Sequence, residues 1–581
     1  MDAEKITEIK KEHISYWANC ELSDTKARSY VYKALANLYL SADVKKANDI
    51  LNDTKIKDYN SWIVADNTFV FYWTIPALIR CYSMFNCENG TNGKCLLPET
   101  GENIKRVLHR FVEAHIDRLF TDKHEPLRIV ESENHEMLQR ASILLIAQLL
   151  KADTAYKNEI LPDGRRYEQL FEHACEFMTL YFKTRAKIGG FVEGSDNYRM
   201  VTLESIYNLM DLCENKEVAK LARMMADITW IEYVTENVNS VRGCAKARVY
   251  NRQTDAGAGY LWFERVGNMY FDYHNNNNAE ILIIFALSNY LPPEISYDIM
   301  KEVKKTEFES MSRIPGVGRT TCTMIRNEIV PIYFLDEEKS ITKYTYVTQD
   351  FIMSSLMQDE REQLIWLSAQ NRWAGMVFSG DTEARMYIRY ESDEVAIYKP
   401  MHIVQKGSVM LTKNVSDIPV GLYISDFDSE KELVLEDGWL FGEIQSCYYA
   451  VKQVDGGMYI RDGRIVFKNN NEPIVTDIKS KREYKSLDDF KEHIHKNLLV
   501  KVGDFVFYQD IEKLTDGVGF NYESDKDDYR MVCGDNMRFD SDMMIDNPYI
   551  KAVFNSGIID AGITGKKIRY DFNKGNITTL N

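Results

Sequence analysis

From the start of the chain to about residue 300, apolar side chains return every three or four positions. Examples are Ala141-Ser-Ile-Leu-Leu-Ile-Ala-Gln-Leu-Leu150 and the stretches 167–183 and 217–235. That spacing lays one apolar stripe along a helix. The pattern predicts a succession of helices, each about 15–20 residues long, joined by short polar or glycine-containing loops at Asp163-Gly164 and Gly189-Gly190 and stacked side by side as hairpins. Beyond Pro292-Pro293 and a last short helical stretch, the loop Arg313-Ile-Pro-Gly-Val-Gly-Arg319 marks a change of texture. Short runs rich in Val, Ile, Tyr and Phe follow at 328–334, 384–390, 394–398, 408–412, 456–461 and 498–508, with a turn signal at Asp462-Gly463. Strands at roughly 8–12-residue intervals predict an antiparallel sandwich or stacked sheets. The stretch 259–274 also reads as strand, a β-element near the end of the helical half. Two large units result, 1–315 and 316–581.

Composition supports a folded chain throughout. Hydrophobic residues are 45% and charged residues 27% of 581, with only 12 Pro, so every long stretch can bury a core. The net charge of −17 argues against nucleic acid and anionic membranes as partners, and any polyanionic ligand needs a local basic pocket. The ten cysteines show no CxxC pair and are read as reduced thiols. The N-terminal stretch lacks the apolar core of a secretion signal, and no run of about 18 apolar residues occurs. A cytoplasmic protein is the expectation, and a homo-oligomer is left open.

Three segments could carry chemistry. Glu131-Ser-Glu-Asn134-His135-Glu136 stands directly before a helix, where backbone N–H groups and the helix dipole face an anion; a plain cap explains it too. Gly189-Gly-Phe-Val-Glu193-Gly194-Ser-Asp196-Asn-Tyr198-Arg199 is a glycine-rich turn that delivers Glu, Asp, Tyr and Arg to the mouth of the next helix, as a pocket requires. The third, Ser240 to Arg252, contains Arg242, Lys246, Arg248, Tyr250 and Arg252 without one acid. That local reversal of sign suits a carboxylate or sulfate, although a solvated basic face is the alternative.

Taken together, Asn134-His135, the Glu193-Gly194 loop with Tyr198, and the basic Arg242–Tyr250 segment resemble the heparinase II/III-like and oligoalginate polysaccharide lyases. The resemblance implies an incomplete (α/α) toroid followed by an antiparallel β-sandwich, an α+β multidomain fold. It implies Asn134, His135 and Tyr198 as the catalytic centre, with Glu193, Arg199, Arg242, Arg248 and Tyr250 around the sugar. His274 enters because these families place a second histidine near the domain junction; a structural histidine is the alternative. The spacing Gly-Ser-Asp-Asn-Tyr departs from the family pattern at the tyrosine.

The implied reaction is β-elimination on a uronic acid: the C5 proton is removed and the C4 oxygen expelled. Asn134 and His135 would neutralise the sugar carboxylate so that the enolate-like state forms. Tyr198, its pKa of about 10 lowered by Arg199 or Arg248, would serve as base and then as acid. Without a secretion signal, an exo-acting enzyme on imported acidic oligosaccharides is expected. No cofactor is expected; a structural divalent ion held through tertiary contacts is left open, although no linear ligand spacing supports one. Two other functions fit. An inverting glycoside hydrolase could pair Glu133 or Glu136 with Glu193 or Asp196 at about 6.5–9.5 Å, and a non-catalytic carbohydrate-binding protein would keep the fold without turnover. The segment 363–375, with Trp366, Gln370 and Trp373, is read as sandwich core before it is read as a strap over a cleft.

Overall fold

The structure is a computed structural model. It describes residues 3–22, 27–53, 73–88, 90–93, 95–120, 124–192, 194–238, 241–247, 249, 262–271, 282–325, 328–358, 372–381, 383–391, 401–425, 427–428, 433–521, 530–533, 535–536 and 542–580. Twelve helices fill the N-terminal half among the described residues: α1 Ala3–Asn19, α2 Ala27–Leu40, α3 Val44–Leu51, α4 Ile75–Phe85, α5 Pro98–Leu119, α6 Glu133–Leu150, α7 Tyr167–Ile188, α8 Asp196–Leu212, α9 Lys216–Thr235, α10 Trp262–Phe271, α11 Leu282–Leu287 and α12 Glu294–Val303. Helices pack on their neighbours and next-but-one neighbours in the chain (α6 on α7 and α8; α9 on α7 and α8), and α1 closes back against α10 and α11. Buried Lys10 of α1 fastens that closure, its Nζ donating to the carbonyls of Ser288 at 2.7 Å and Tyr290 at 3.0 Å. The N-terminal half is thus an α/α toroid, as the helical periodicity and the family resemblance imply.

Local chemistry explains where the helices stop and turn. α7 ends at Gly189 in the left-handed conformation with φ 106°. A side chain there would put its Cβ 1.8 Å from the carbonyl oxygen of Arg313, so only glycine allows the helix to end this close to the β-domain. α9 starts at Asn215, whose side chain accepts from the N–H groups of Glu217 and Val218, satisfying two donors that the helix leaves unpaired. The toroid core is aromatic. Fully buried Trp230 donates to Tyr207 at 2.9 Å, and Tyr207 to Tyr270 at 3.1 Å.

The β-half is antiparallel throughout. Its spine is a hairpin of two very long strands, Phe308–Ile325 and Glu328–Val347, within a 14-stranded sheet. A five-stranded sheet built from 401–480 packs on this one, with Met386, Leu422, Val404, Leu411 and Ile478 in the shared core. Asp462 and Gly463 make the turn that their sequence announces, both with positive φ (51° and 73°), between the paired residues Arg461 and Arg464, as two-residue hairpins require. A second five-stranded sheet spans 498–536.

Two expectations need correction. The stretch expected as strand at 259–274 contains helix α10, and residues 251–261 and 272–281 lie outside the described residues. Phe263, Val266 and Tyr270 are fully buried; their spacing of three and four is helical, and the aromatic content had suggested strand. The loop expected at Arg313–Arg319 lies inside the strand Phe308–Ile325, and its Pro and Gly residues appear as register shifts at Pro315/Gly316 and Val317/Arg319. Such bulges bend a strand without ending it. The expected strand at 394–398 lies outside the described residues, as do Trp366 and Gln370, while buried Trp373 pairs with Lys246 in a short two-stranded ladder. All ten cysteines are free thiols, and among the described residues no helix is long and apolar enough to cross a membrane.

The toroid and the sheet are joined through the segment 236–247. Gly243 rests against the sheet so closely that a Cβ would lie 2.5 Å from both Ile352 Cβ and Val377 Cγ2. Those atoms belong to branched side chains in strands and cannot swing away. Gly243→Ala is expected to lower the unfolding free energy by about 1–3 kcal/mol through overpacking, measured by denaturant titration, while Gly164→Ala, which meets no atom within 4 Å, tests the strain of a positive φ without the clash.

Candidate active site

The Asn134-His135 pair is set by a short strand. Arg128–Val130 joins the long sheet opposite Phe334, Tyr333 and Ile332, and the next residue, Glu131, takes a left-handed φ of 63° with its N–H donating to Pro331 at 2.9 Å. This turn aims the first residues of α6. Ser132 is the N-cap, yet its hydroxyl donates to Asn134 Oδ1 at 3.0 Å rather than capping the helix backbone. That bond fixes which end of the amide is the oxygen and which is the donor. His135 is buried, its Nδ1 3.8 Å from a Glu131 carboxylate oxygen. The edge of the half-buried Trp73 ring meets it at 6.5 Å and 85°, and the Arg28 guanidinium lies 5.1 Å from the centre of that indole.

Helix direction brings Tyr198 to the same place. α7 runs antiparallel to α6, since Arg185 near its C-terminus meets Glu133 at the start of α6 at 3.0 Å. α8 then runs parallel to α6: at the far ends, Gln148 donates to the Leu212 carbonyl and accepts from the Glu214 N–H, both at 2.8 Å. Two packed helices of 18 and 17 residues with matched C-terminal ends have matched N-terminal ends. His135 and Tyr198 are each the third residue of their helix, and Tyr198 is half-buried. Asn134, His135 and Tyr198 therefore share one end of the toroid, the end fastened to the sheet.

Behind Tyr198 lies a buried set of charges. Asp196, the first residue of α8, accepts from Arg242 Nη1 at 2.9 Å and pairs with Lys246. Arg242 also donates through Nη1 to the Gly194 carbonyl at 3.0 Å and through Nε to Glu236 at 3.1 Å, and Glu236 pairs with Lys343 of the long sheet. Burial alone would raise the Asp196 and Glu236 carboxyls, but Lys246 and Arg242 at the first and Lys343 and Arg242 at the second hold both below the ordinary range. Glu264 of α10 accepts the Arg242 N–H at 2.9 Å; with burial the dominant influence, its carboxyl is pushed up to about 8.

The residues expected around the sugar fall in several places. Arg242, expected on the sugar, is buried, and its guanidinium is engaged by Asp196, Glu236 and Gly194; a chain of net −17 spends this positive charge on its own carboxylates. Arg199 turns to Glu232 of α9 at 2.6 Å. Glu193, Arg248, Tyr250 and His274 lie outside the described residues. The carboxylates of the hydrolase alternative are also engaged: Glu133 by Arg185, Glu136 by Arg140 at 2.7 Å, Asp196 as above, and all three are buried. Sequence reasoning did not single out Arg28, Trp73, Glu236 or Lys343, which come from four distant segments with no common motif.

No protein-family model matches the chain, and no curated protein is similar to it in sequence. Among solved structures, it is similar to the chondroitin AC lyase of Streptomyces coelicolor A3 in complex with chondroitin sulphate, with 8% identity, a TM-score of 0.35, and coverage of 98% of this chain and 88% of that one. It is also similar to the Paenibacillus xanthan lyase, with 7% identity, a TM-score of 0.27, and coverage of 99% of this chain and 67% of that one.

Glu264 makes stability depend on pH. The folded protein holds its proton more tightly than the unfolded chain does, so this contribution is complete below pH 4.5 and is lost as pH rises toward about 8. Denaturant unfolding at several pH values should show that decline in the parent protein and a flatter profile in Glu264→Gln; equal slopes would show that Glu264 is not the titrating group.

Proposed function

We propose that the protein is a lyase that cleaves uronic-acid-containing oligosaccharides by β-elimination. The observation that carries the reading is the convergence of Asn134, His135 and Tyr198 at the matched N-terminal ends of two parallel helices. That end offers the positive ends of two helix dipoles to a sugar carboxylate. Elimination begins at the C5–H bond, whose proton is weakly acidic while the adjacent carboxylate keeps its full charge. The Asn134 amide and the His135 imidazole are the groups proposed to bind that carboxylate and stabilise the enolate-like state. Tyr198 is proposed to take the C5 proton and return one to the departing C4 oxygen, leaving a C4–C5 double bond.

Two further features support elimination over hydrolysis. Glu133, Glu136 and Asp196 are each paired to a buried cation, whereas an inverting hydrolase needs one carboxylic acid and one carboxylate facing the glycosidic bond. Ser132 fixes the Asn134 amide by donating to its Oδ1, so that the donor end takes one defined direction, as recognition of an anion requires. Exo action on short chains belongs to the same proposal.

The test is incubation of the purified full chain with glycosaminoglycan, alginate, pectic and glucuronan oligosaccharides while following ultraviolet absorbance from the conjugated alkene. Absorbance should rise with at least one class, by single unsaturated units released from a chain end, and Tyr198→Phe should slow that rise by about 10²–10⁴-fold. New reducing ends without absorbance would make the protein a hydrolase; binding without either signal would make it a carbohydrate-binding protein.

A further inference from the structure

At the opposite end of α6 lies a cluster that the proposed reaction does not use. We propose that His109, Glu113 and Glu159 bind one divalent transition-metal ion of the zinc type. His109 and Glu113 stand one turn apart on α5, and Glu159 comes from the connection between α6 and α7, residues 151–166. One ligand atom from each lies within 4.8 Å of the others. His109 Nε2 is 3.6 Å from Glu113 Oε2 and 3.5 Å from Glu159 Oε1. These separations are too long for an N–H hydrogen bond, which is about 2.9 Å. They fit neighbouring ligands around one ion: donors at about 2.0–2.1 Å from zinc, in tetrahedral directions, stand about 3.4 Å apart.

The other face of the imidazole is prepared for the same role. Nδ1 lies 2.6 Å from the hydroxyl of Tyr167, which is fully buried, and the rings of Tyr156 and Tyr167 flank the imidazole at 4.9 and 6.0 Å. With Nδ1–H donating to the Tyr167 oxygen, the Nε2 lone pair points at the two carboxylates. Metal-bound histidines characteristically have their second nitrogen held in this way. Two carboxylates against one imidazole supply the charge that a divalent cation balances, and a nitrogen–oxygen set suits zinc and its neighbours better than calcium or magnesium. The carboxylate side chains are 45% and 40% exposed, so an ion can enter from solvent and keep a water as its remaining ligand. Bound there, it would fasten the 151–166 connection to α5, far from Tyr198 and without a part in elimination.

The competing account of the same geometry is a protonated His109 paired to both glutamates, and metal titration separates the two. The full chain, prepared without a histidine tag and stripped with a chelator, is titrated with Zn²⁺ against a chromophoric chelator. One equivalent should bind, Glu159→Gln should weaken binding by more than tenfold, and Tyr167→Phe should weaken it by about 10–100-fold. Co²⁺ should give the visible bands of a four-coordinate site, absent in Glu159→Gln. Because Glu159 sits on a surface connection, its variant should unfold at the same midpoint as the metal-free parent, which keeps the test valid where His109→Ala fails to fold. No bound equivalent in the parent, or unchanged affinity in Glu159→Gln, would overturn the site.

Discussion

A carboxyl group that stays ionised when buried needs a cation beside it, and the relation between the two halves of this molecule rests on that constraint at one place. Glu236, just past the end of α9, lies between Arg242 and Lys343, and Arg242 passes the interaction on to Asp196 at the start of α8. Lys343 belongs to the sheet, and the other three belong to the toroid. Removing Glu236 would leave the buried Lys343 ammonium without its carboxylate, at a cost of about 3–5 kcal/mol. The same chain of contacts holds the first turn of α8, and with it Tyr198, so the anchor between domains and the placement of the candidate base are one network.

The helical half was legible because its signal is local. Stripes such as 141–150 state both the helix and its buried face, and Gly189 and Asp462-Gly463 punctuate where backbone geometry demands it. Misreadings arose where composition and spacing disagree. In α10 the aromatic, β-prone residues Phe263 and Tyr270 are spaced for a helix, and spacing prevails because it decides which side chains reach the core. At Pro315-Gly316 the breakers are absorbed as a bulge, since a hairpin nearly 20 residues long on each side loses little by one irregularity.

The candidate site was legible only in part, for a related reason. Asn134, His135 and Tyr198 lie in short motifs at helix starts, and helix direction then unites them. Arg28, Trp73 and Lys343 reach the same region through tertiary packing alone, which no linear pattern records. Arg242 shows the opposite failure: a positive charge in an acidic chain reads as a ligand site, but its partners turn out to be Asp196 and Glu236, 46 and 6 residues earlier in the chain. No linear ligand spacing singled out His109 and Glu113; the pair gains meaning only with Glu159 folded onto it.

The strand Arg128–Val130 makes a toroid segment a member of the sheet. Asn134 follows four residues after its end, so the candidate site hangs from a backbone ladder that crosses the domain boundary. A hinge between the halves would have to unzip that ladder and expose its amide groups. That ladder opposes any closing of one half upon the other at this edge of the toroid.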